Sequence, residues 1–450
     1  MTTAATPGTT RSLAERSRIA DGKKTRMGMI YAILAGPALG LALGLLSTLV
    51  SKPPFNLQQP TGAFAIVALL QVPFGVLGIA VFLAVGGTWR DTSRLFGHRI
   101  SWWNLFVAVG GFVGDLCYAV SAALIGGALA GPIGGLFGVV GAVVTGVLYR
   151  EKILRWSTLL GLVGLGVGIW VVLSGGKVVS PTHGVYELVG ILIVVGAVLT
   201  WGFENFAIAA GTDLMPAEGF IWWRAFLELI IANVLLFALF PIARVMASKV
   251  WTDPRLITYG AVIGFGWAIW LIMGYYIGIA YAGGVRGGVL AGTFGFFFIG
   301  FFSITVYGVP FSLAIVFGSV IMFVGAAFIV SEPGGYLARK RRTRPGTPET
   351  RVLAREISTS EIDSAAAPAD SDAAVDSYLA EVGKFKRRRL WGLLALCAML
   401  LAPLLTIYAE GWWNLAGAGD VGTAWVFVGI GVIACAVAAV LVDLFYRKEL

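Results

Sequence analysis

Histidine and cysteine are scarce in this chain of 450 residues, with two of one and three of the other. Cys117, Cys397 and Cys435 fall inside apolar stretches, and His98 and His183 sit in separate loops. That leaves no Cys/His spacing suited to a metal and no basis for a disulfide framework, so the cysteines read as packing residues. No metal and no other cofactor is expected. Charge is sparse as well. Asp, Glu, Lys and Arg make up 13% of the residues against 58% for the apolar set, and the mean hydropathy of +0.85 excludes an ordinary water-soluble domain. Residues 1–26 are polar and basic without an apolar core, so no cleavable signal peptide is expected and the first apolar stretch should act as its own anchor.

What the chain has instead is a series of apolar stretches of about twenty residues, the length that spans a hydrocarbon core of ~30 Å. Ten are expected in the main body: Gly28–Val50, Phe64–Gly87, Trp102–Ile125, Ala128–Tyr149, Ser157–Ser174, Tyr186–Ala210, Gly219–Pro241, Leu256–Tyr281, Gly287–Tyr307 and Pro310–Val330. Two more, Leu390–Tyr408 and Thr423–Phe445, follow a change of composition. The fold class is therefore all-α, a polytopic membrane protein with a ten-helix inverted-repeat transporter core and two extra C-terminal transmembrane helices. The expected divisions are a basic N-terminus (1–27), a first five-helix repeat (28–176), a second (177–335), a disordered charged linker (336–389) and the two-helix extension (390–450). The linker is rich in Ala, Asp, Ser and Glu between Arg339-Lys340-Arg341-Arg342 and Lys384-Phe385-Lys386-Arg387-Arg388-Arg389, a composition that buries little. Residues 28–335 are expected to fold and insert without this tail.

Basic residues of the short loops set the orientation. The N-terminus (Arg11, Arg16, Arg18, Lys23, Lys24, Arg26), the second loop (Arg90, Arg94, Arg99), the fourth (Arg150, Lys152, Arg155) and the linker clusters fall on one side. Both termini are expected in the cytosol, in the cytoplasmic membrane. Arg244, Lys249 and Arg255 then face outward against the trend.

The duplication is carried by a nine-residue pattern. Gly126-Gly127-Ala128-Leu129-Ala130-Gly131-Pro132-Ile133-Gly134 returns 161 residues later (126 to 287) as Gly287-Gly288-Val289-Leu290-Ala291-Gly292-Thr293-Phe294-Gly295. Each copy opens a span at a corresponding place in its half, and with five spans per half the halves are oppositely oriented, the build of many secondary transporters. The basic turn Tyr149-Arg150-Glu151-Lys152 and the glycine-spaced fifth span Leu160-Gly161-Leu162-Val163-Gly164-Leu165-Gly166-Val167-Gly168 complete a likeness. Over residues 28–335 the chain resembles the drug/metabolite transporter superfamily. Gly114-Asp115-Leu116-Cys117-Tyr118 and Gly264-Phe265-Gly266-Trp267 are similar to the L-rhamnose-proton symporter branch. The resemblance implies alternating access by ten helices, with no enzymatic step. In that branch an amide is expected where Asp115 stands.

Charged residues within spans carry the mechanism, because a charge at the bilayer centre costs at least ~2.5 to 3.5 kcal/mol. Asp115 lies about thirteen residues into its span, ~20 Å along a helix, and with no Lys or Arg expected at that depth it is a candidate to bind and release a proton. Its neighbour Tyr118 joins it on the list. Glu204 and Arg224 sit equally deep from one face on consecutive antiparallel spans and can pair, with Glu228 one turn beyond Arg224 able to share the guanidinium. That set reads as a structural clamp or as a gate and ion site. Trp201, Trp267 and Trp270, with Tyr275 and Tyr276, can supply stacking faces, and Gln71, Asn205 and Asn233 are spare polar groups for hydroxyls. The Gly and Ala steps of the fourth and ninth spans allow close helix approach.

The expected function is a secondary active transporter of a small polar metabolite, sugar-like by preference and proton-coupled. Export of drugs or cationic metabolites, or flipping of lipid-linked sugars, are the alternatives. The expected partners are the small-molecule substrate, protons and the lipid bilayer, with no nucleic acid, the protein acting as a monomer or homodimer. A membrane enzyme would need a large soluble loop with clustered carboxylates or a nucleophile, and the linker has neither.

Overall fold

The computed structural model describes residues 25–57, 60–89, 92, 101–148, 156–174, 184–212, 217–307, 312–330 and 372–410. All regular structure among them is helical. The expected readings for His98, His183, Cys435, the loop arginines from Arg90 to Arg99, the turn at Tyr149 to Lys152, the first part of the linker and the span Thr423–Phe445 lie outside the described residues.

The helices are α1 Thr25–Leu49, α2 Thr61–Gly86, α3 Ser101–Ile125, and α4 in two pieces, Gly127–Gly134 and Phe137–Leu148. Then come α5 Trp156–Ser174, α6 Val185–Gly211 and α7 Ala217–Leu239. Helix α8 runs over Pro254–Ile269 and continues as π-helix through Trp270–Ile277. Last are α9 Gly278–Thr305, α10 Leu313–Val330 and α11 Asp372–Ala409. Among the described residues eight stretches are long and apolar enough to cross a bilayer, the longest, Pro254–Ser303, holding both α8 and α9; Leu160–Ser174 and Leu313–Ala326 are shorter apolar helices. The chain is thus an all-α, multi-pass membrane protein.

Local chemistry explains the breaks. Asp253 caps α8, its carboxylate accepting from the Arg255 amide at 2.9 Å, and Pro254 takes the first helical position, where a missing N–H costs nothing. Pro132 cannot donate within α4, and the helix yields two residues later. Four glycines among the described residues hold φ values that other residues avoid, and two of them break helices in the body: Gly126 (φ 78°, ψ 152°) before α4 and Gly283 (φ 87°, ψ 161°) inside α9. The eighth-to-ninth turn therefore falls at Gly283. Gly287 and Gly288, expected to mark it, lie inside the helix that follows.

Two further expectations change. The linker was expected disordered through residue 389, but helix begins at Asp372 and runs unbroken into the span. Ala, Leu, Glu, Lys and Arg between 372 and 390 are good helix formers, and an adjoining apolar helix removes the cost of nucleation. The loop carrying Arg244 and Lys249 is also helical, over Ala243–Thr252. It buries Ala243, Met246 and Val250 and leaves Arg244 and Lys249 exposed, the amphipathic pattern of a helix lying along the interface.

Helix α6 packs on α3 and α4, and α1 packs on α8 and α9. Helix α7 packs on α3, α8 packs on α2, and the pairs α2/α7, α4/α9 and α5/α10 also pack together. Small residues let the last two pairs close. A Cβ on Gly325 would lie 2.7 Å from the Gly161 carbonyl, and one on Gly168 would lie 2.7 Å from the Gly318 carbonyl, a reciprocal contact between α5 and α10. A Cβ on Gly135 or Gly292 would lie 3.2 or 2.8 Å from the other's carbonyl. Helix α11 lies against α2 and α8, burying Leu393, Leu396, Leu400, Leu404 and Ile407. A chain ending at Gly335 would lose this cover.

The α5/α10 crossing gives a direct test. Gly325→Ala should force the backbones apart and destabilise by about 1–3 kcal/mol, whereas Gly166→Ala, where a Cβ meets nothing within 4 Å, should be neutral or stabilising through helix propensity. Melting temperatures of the two purified variants in one detergent check the contrast, and equal values would remove the close crossing.

Candidate functional site

Four charged side chains meet in the interior of the helical body: Asp115 of α3, Glu204 of α6, and Arg224 and Glu228 of α7, with relative exposures of 6%, 2%, 1% and 0%. Arg224 Nε donates to Glu204 Oε1 at 3.0 Å and its Nη1 donates to Glu228 Oε2, so the expected pairing on α6 and α7 is present. The guanidinium also lies 5.1 Å from the centre of the Trp267 ring on α8, where a cation meets the negative face of the indole.

Asp115 is anchored separately. Gln71 Nε2 donates to its Oδ2 at 2.7 Å and Trp201 Nε1 donates to its Oδ1 at 3.1 Å. The expectation that Asp115 stands apart from any cation does not hold. Gly111, one turn before it, leaves the room: a Cβ there would lie 2.0 Å from Arg224 Nη2. The long arginine side chain climbs from its own level toward Asp115 and joins two groups that spacing along each helix had kept apart. Glu228 Oε1 is buried without a hydrogen-bond partner beside this set. Three carboxyls thus gather around one guanidinium, and full ionisation would leave a net charge of minus two.

The helices depart from α-geometry at this level. Val67–Gln71 of α2 is a π-helical turn that ends on the residue bonding Asp115, and the π segment of α8 carries Trp270, Tyr275 and Tyr276. π-turns widen a helix and loosen its hydrogen bonding, and they recur at functional sites. Asn233 Nδ2 donates to the Ala68 carbonyl within the first π-turn at 3.2 Å and to Leu229 O at 3.0 Å. Asn233 is therefore spent on backbone rather than spare. Tyr275 Oη donates to the Trp201 carbonyl at 2.8 Å and Trp270 Nε1 to the Ala291 carbonyl at 3.1 Å, which fixes the second π segment.

Aromatic rings close the site. Trp201 lies 5.2 Å from Phe296 and 6.0 Å from Tyr118, and Trp270 stacks on Tyr275 at 5.0 Å and 17°. Phe137, which no sequence pattern marked, sits 5.3 Å from Tyr275 and 5.9 Å from Trp201. Asn205 is held between Gly141 of α4 and Gly288 of α9 and donates to the Gly284 carbonyl at 3.4 Å. Gln71 Oε1, Tyr118 Oη, Glu204 Oε2, Asn205 Oδ1 and Tyr276 Oη are buried without a hydrogen-bond partner in the protein. Buried polar atoms are normally satisfied, so these atoms concentrate unused hydrogen-bonding capacity around the cluster. No group of metal-ligating side chains occurs among the described residues.

No protein-family description matches the chain, and no curated protein matches it. Eighteen chains of solved structures do. One of them, titled "Crystal structure of protein", aligns 71% of this chain with 98% of its own at 20% identity and a TM-score of 0.45.

The ion-pair network makes its own prediction. Arg224→Ala or Glu204→Ala should each cost about 3–5 kcal/mol by leaving a buried partner charge, and the double substitution should cost well under the sum. Additive losses of melting temperature across this cycle would remove the coupling.

Proposed function

We propose that the protein is a proton-coupled secondary transporter, a member in kind of the ten-span inverted-repeat transporters, moving a small polar solute across the cytoplasmic membrane by alternating access. The observation that carries this reading is the Asp115, Glu204, Arg224 and Glu228 cluster, which has more carboxyls than its one cation can balance and lies closed off from both faces. A group that must trade protons with the two sides in turn needs such surplus acid, and a fixed structural clamp would be served by equal charges.

The duplication supports the same reading. Exchange of α1–α5 with α6–α10 maps the packing onto itself: α3/α6 becomes α8/α1, α4/α6 becomes α9/α1, and α3/α7 becomes α8/α2. A register of 157 residues supports this reading. It relates Gly126 to Gly283, which share one unusual conformation, and Gly161 and Gly168 to Gly318 and Gly325, which share one reciprocal contact. The nine-residue pattern at 161 is one helical turn away from it. The same register relates Gln71 of α2, which donates to Asp115, to Glu228 of α7. Repeats meeting at a midplane site are the architecture of alternating access.

The aromatic rings and the unpartnered polar atoms favour a solute with hydroxyls and an apolar face, as a sugar has. The surplus of carboxyls favours a second reading, export of a cationic metabolite in exchange for protons. In the orientation read from the loops both termini are cytosolic, and the Ala243–Thr252 helix rests on the outer face. Monomer and homodimer remain equally served by this reading.

Asp115→Asn keeps shape and hydrogen bonding while removing titration. After a thermal-shift screen of sugars, nucleosides, amino acids and cationic dyes has supplied a ligand, proteoliposomes carrying this variant should retain solute exchange and lose accumulation driven by a pH gradient. Accumulation equal to the parent's would assign Asp115 a structural role and move the coupling to Glu204.

A further inference from the structure

A cleft opens well away from the acid cluster, where the ends of α1, α8 and α9 meet the last turns of α11, with an open volume of about 770 Å³. Its mouth carries Lys52, just past α1, and Asp253 and Arg255 at the start of α8. Its walls are apolar, with Leu45, Val262 and Leu404 among them. Leu45 lies four residues before the end of α1 at Leu49 and Val262 eight after the start of α8 at Pro254, so at 1.5 Å per residue the apolar part reaches ~6 to 12 Å from the helix ends toward the bilayer centre. The cleft is therefore charged at headgroup level and apolar at acyl-chain level. Tyr307 Oη, donating to the Leu41 carbonyl at 2.7 Å, ties α9 to α1 and makes this side of the cleft a fixed wall. Helix α11 supplies the other side through Leu404 and Ile407.

We propose that this cleft is a binding site for one anionic phospholipid, whose phosphate meets Lys52 and Arg255 and whose acyl chain lies against α11. Two cations face one carboxylate at the mouth, and Asp253 already accepts from the Arg255 amide, so the rim favours an anion. Basic pockets between transmembrane helices recognise anionic headgroups in this way, with the guanidinium forking onto phosphate oxygens. A soluble anion would use the rim alone and leave the apolar depth unmatched. The lipid uses both. It also gives α11 a role independent of transport: the added helix completes a lipid seat that the α1 and α8 ends cannot form without it.

The test uses the full-length protein in neutral detergent, titrated with phosphatidylglycerol or phosphatidylcholine and read by native mass spectrometry and by melting temperature. The parent should retain one phosphatidylglycerol in preference to phosphatidylcholine and melt higher with it. Lys52→Gln combined with Arg255→Gln should weaken that retention roughly tenfold or more, at about one kcal/mol per cation removed, with the lipid-dependent rise in melting temperature read against the same variant without lipid. Leu404→Trp, which fills the apolar depth and keeps the rim, should lower retention too. Lys249→Gln, an exposed cation at the same end of the helices, should retain the lipid as the parent does. Equal retention of the two lipids by the parent, or undiminished phosphatidylglycerol binding by the double variant, would overturn the proposal. An equal loss in Lys249→Gln would also overturn it, because the attraction would then belong to the general surface charge.

Discussion

Arg224 can exist at this depth only because carboxylates from two directions meet it. An unpaired guanidinium in hydrocarbon carries a penalty that packing does not repay, whereas one held by Glu204 from α6 and Glu228 from its own helix is solvated by protein. The requirement propagates outward. Glu204 ties α6 to α7, Gly111 must lack a side chain so that α3 can approach the guanidinium, and Trp267 brings α8 against its face. Four helices are thereby placed by one cation. Apolar packing alone would let them rotate, since lipid tails are as apolar as the leucines that would be exchanged.

Asp115 changes the character of that network. Gln71 and Trp201 orient it with neutral donors, and the Arg224 guanidinium, beside Gly111 one turn away, brings it to the ion pair, so the cluster runs from α2 through α3 and α7 to α6. A charge added to or removed from any member must be felt by the others at these distances, in a medium where water cannot screen it. The π-turns serve the same place. Each widens its helix at the level of the cluster. In α2 the loosened backbone is bonded from outside, the Ala68 carbonyl accepting from Asn233 of α7, whereas the α8 segment is held by its own side chains, Tyr275 and Trp270 donating to the Trp201 and Ala291 carbonyls of α6 and α9.

The helices were legible in the sequence because bilayer thickness fixes their length. Each expected span within the described residues falls on helix, the fourth in two pieces and the one at Leu390 on a helix that begins eighteen residues earlier, at Asp372. The stretch from Asp372 and the helix over Ala243–Thr252 were missed for a related reason: neither is apolar enough to be a span, and a hydropathy reading sees only spans. The pairing of Arg224 with Glu204 and Glu228 followed from depth and helical spacing. Its union with Asp115 did not, because depth counted along a backbone ignores the reach of an arginine. Gly111 was the available signal, a residue without a side chain one turn from a buried carboxyl. The register of the proposed repeat is hard to read from sequence for a physical reason as well. Glycines recur about every helical turn in both copies, so a slip of four residues still lays glycine on glycine, and what favours 157 over 161 is structural, the backbone angles at Gly126 and Gly283 and the glycine contacts between α5 and α10.

On the proposed transporter reading, the two halves would meet at Asp115 through unlike groups. A register of 157 residues sets Gln71 of α2 against Glu228 of α7, an amide against a carboxyl. Gln71 donates to Asp115 through Nε2 and can do so in any protonation state of its partner. A carboxyl in the corresponding place could donate only when it or Asp115 holds a proton. The proposed coupling would therefore combine one constant contact from α2 with one proton-dependent contact from α7, a difference that a pair of amides could not supply.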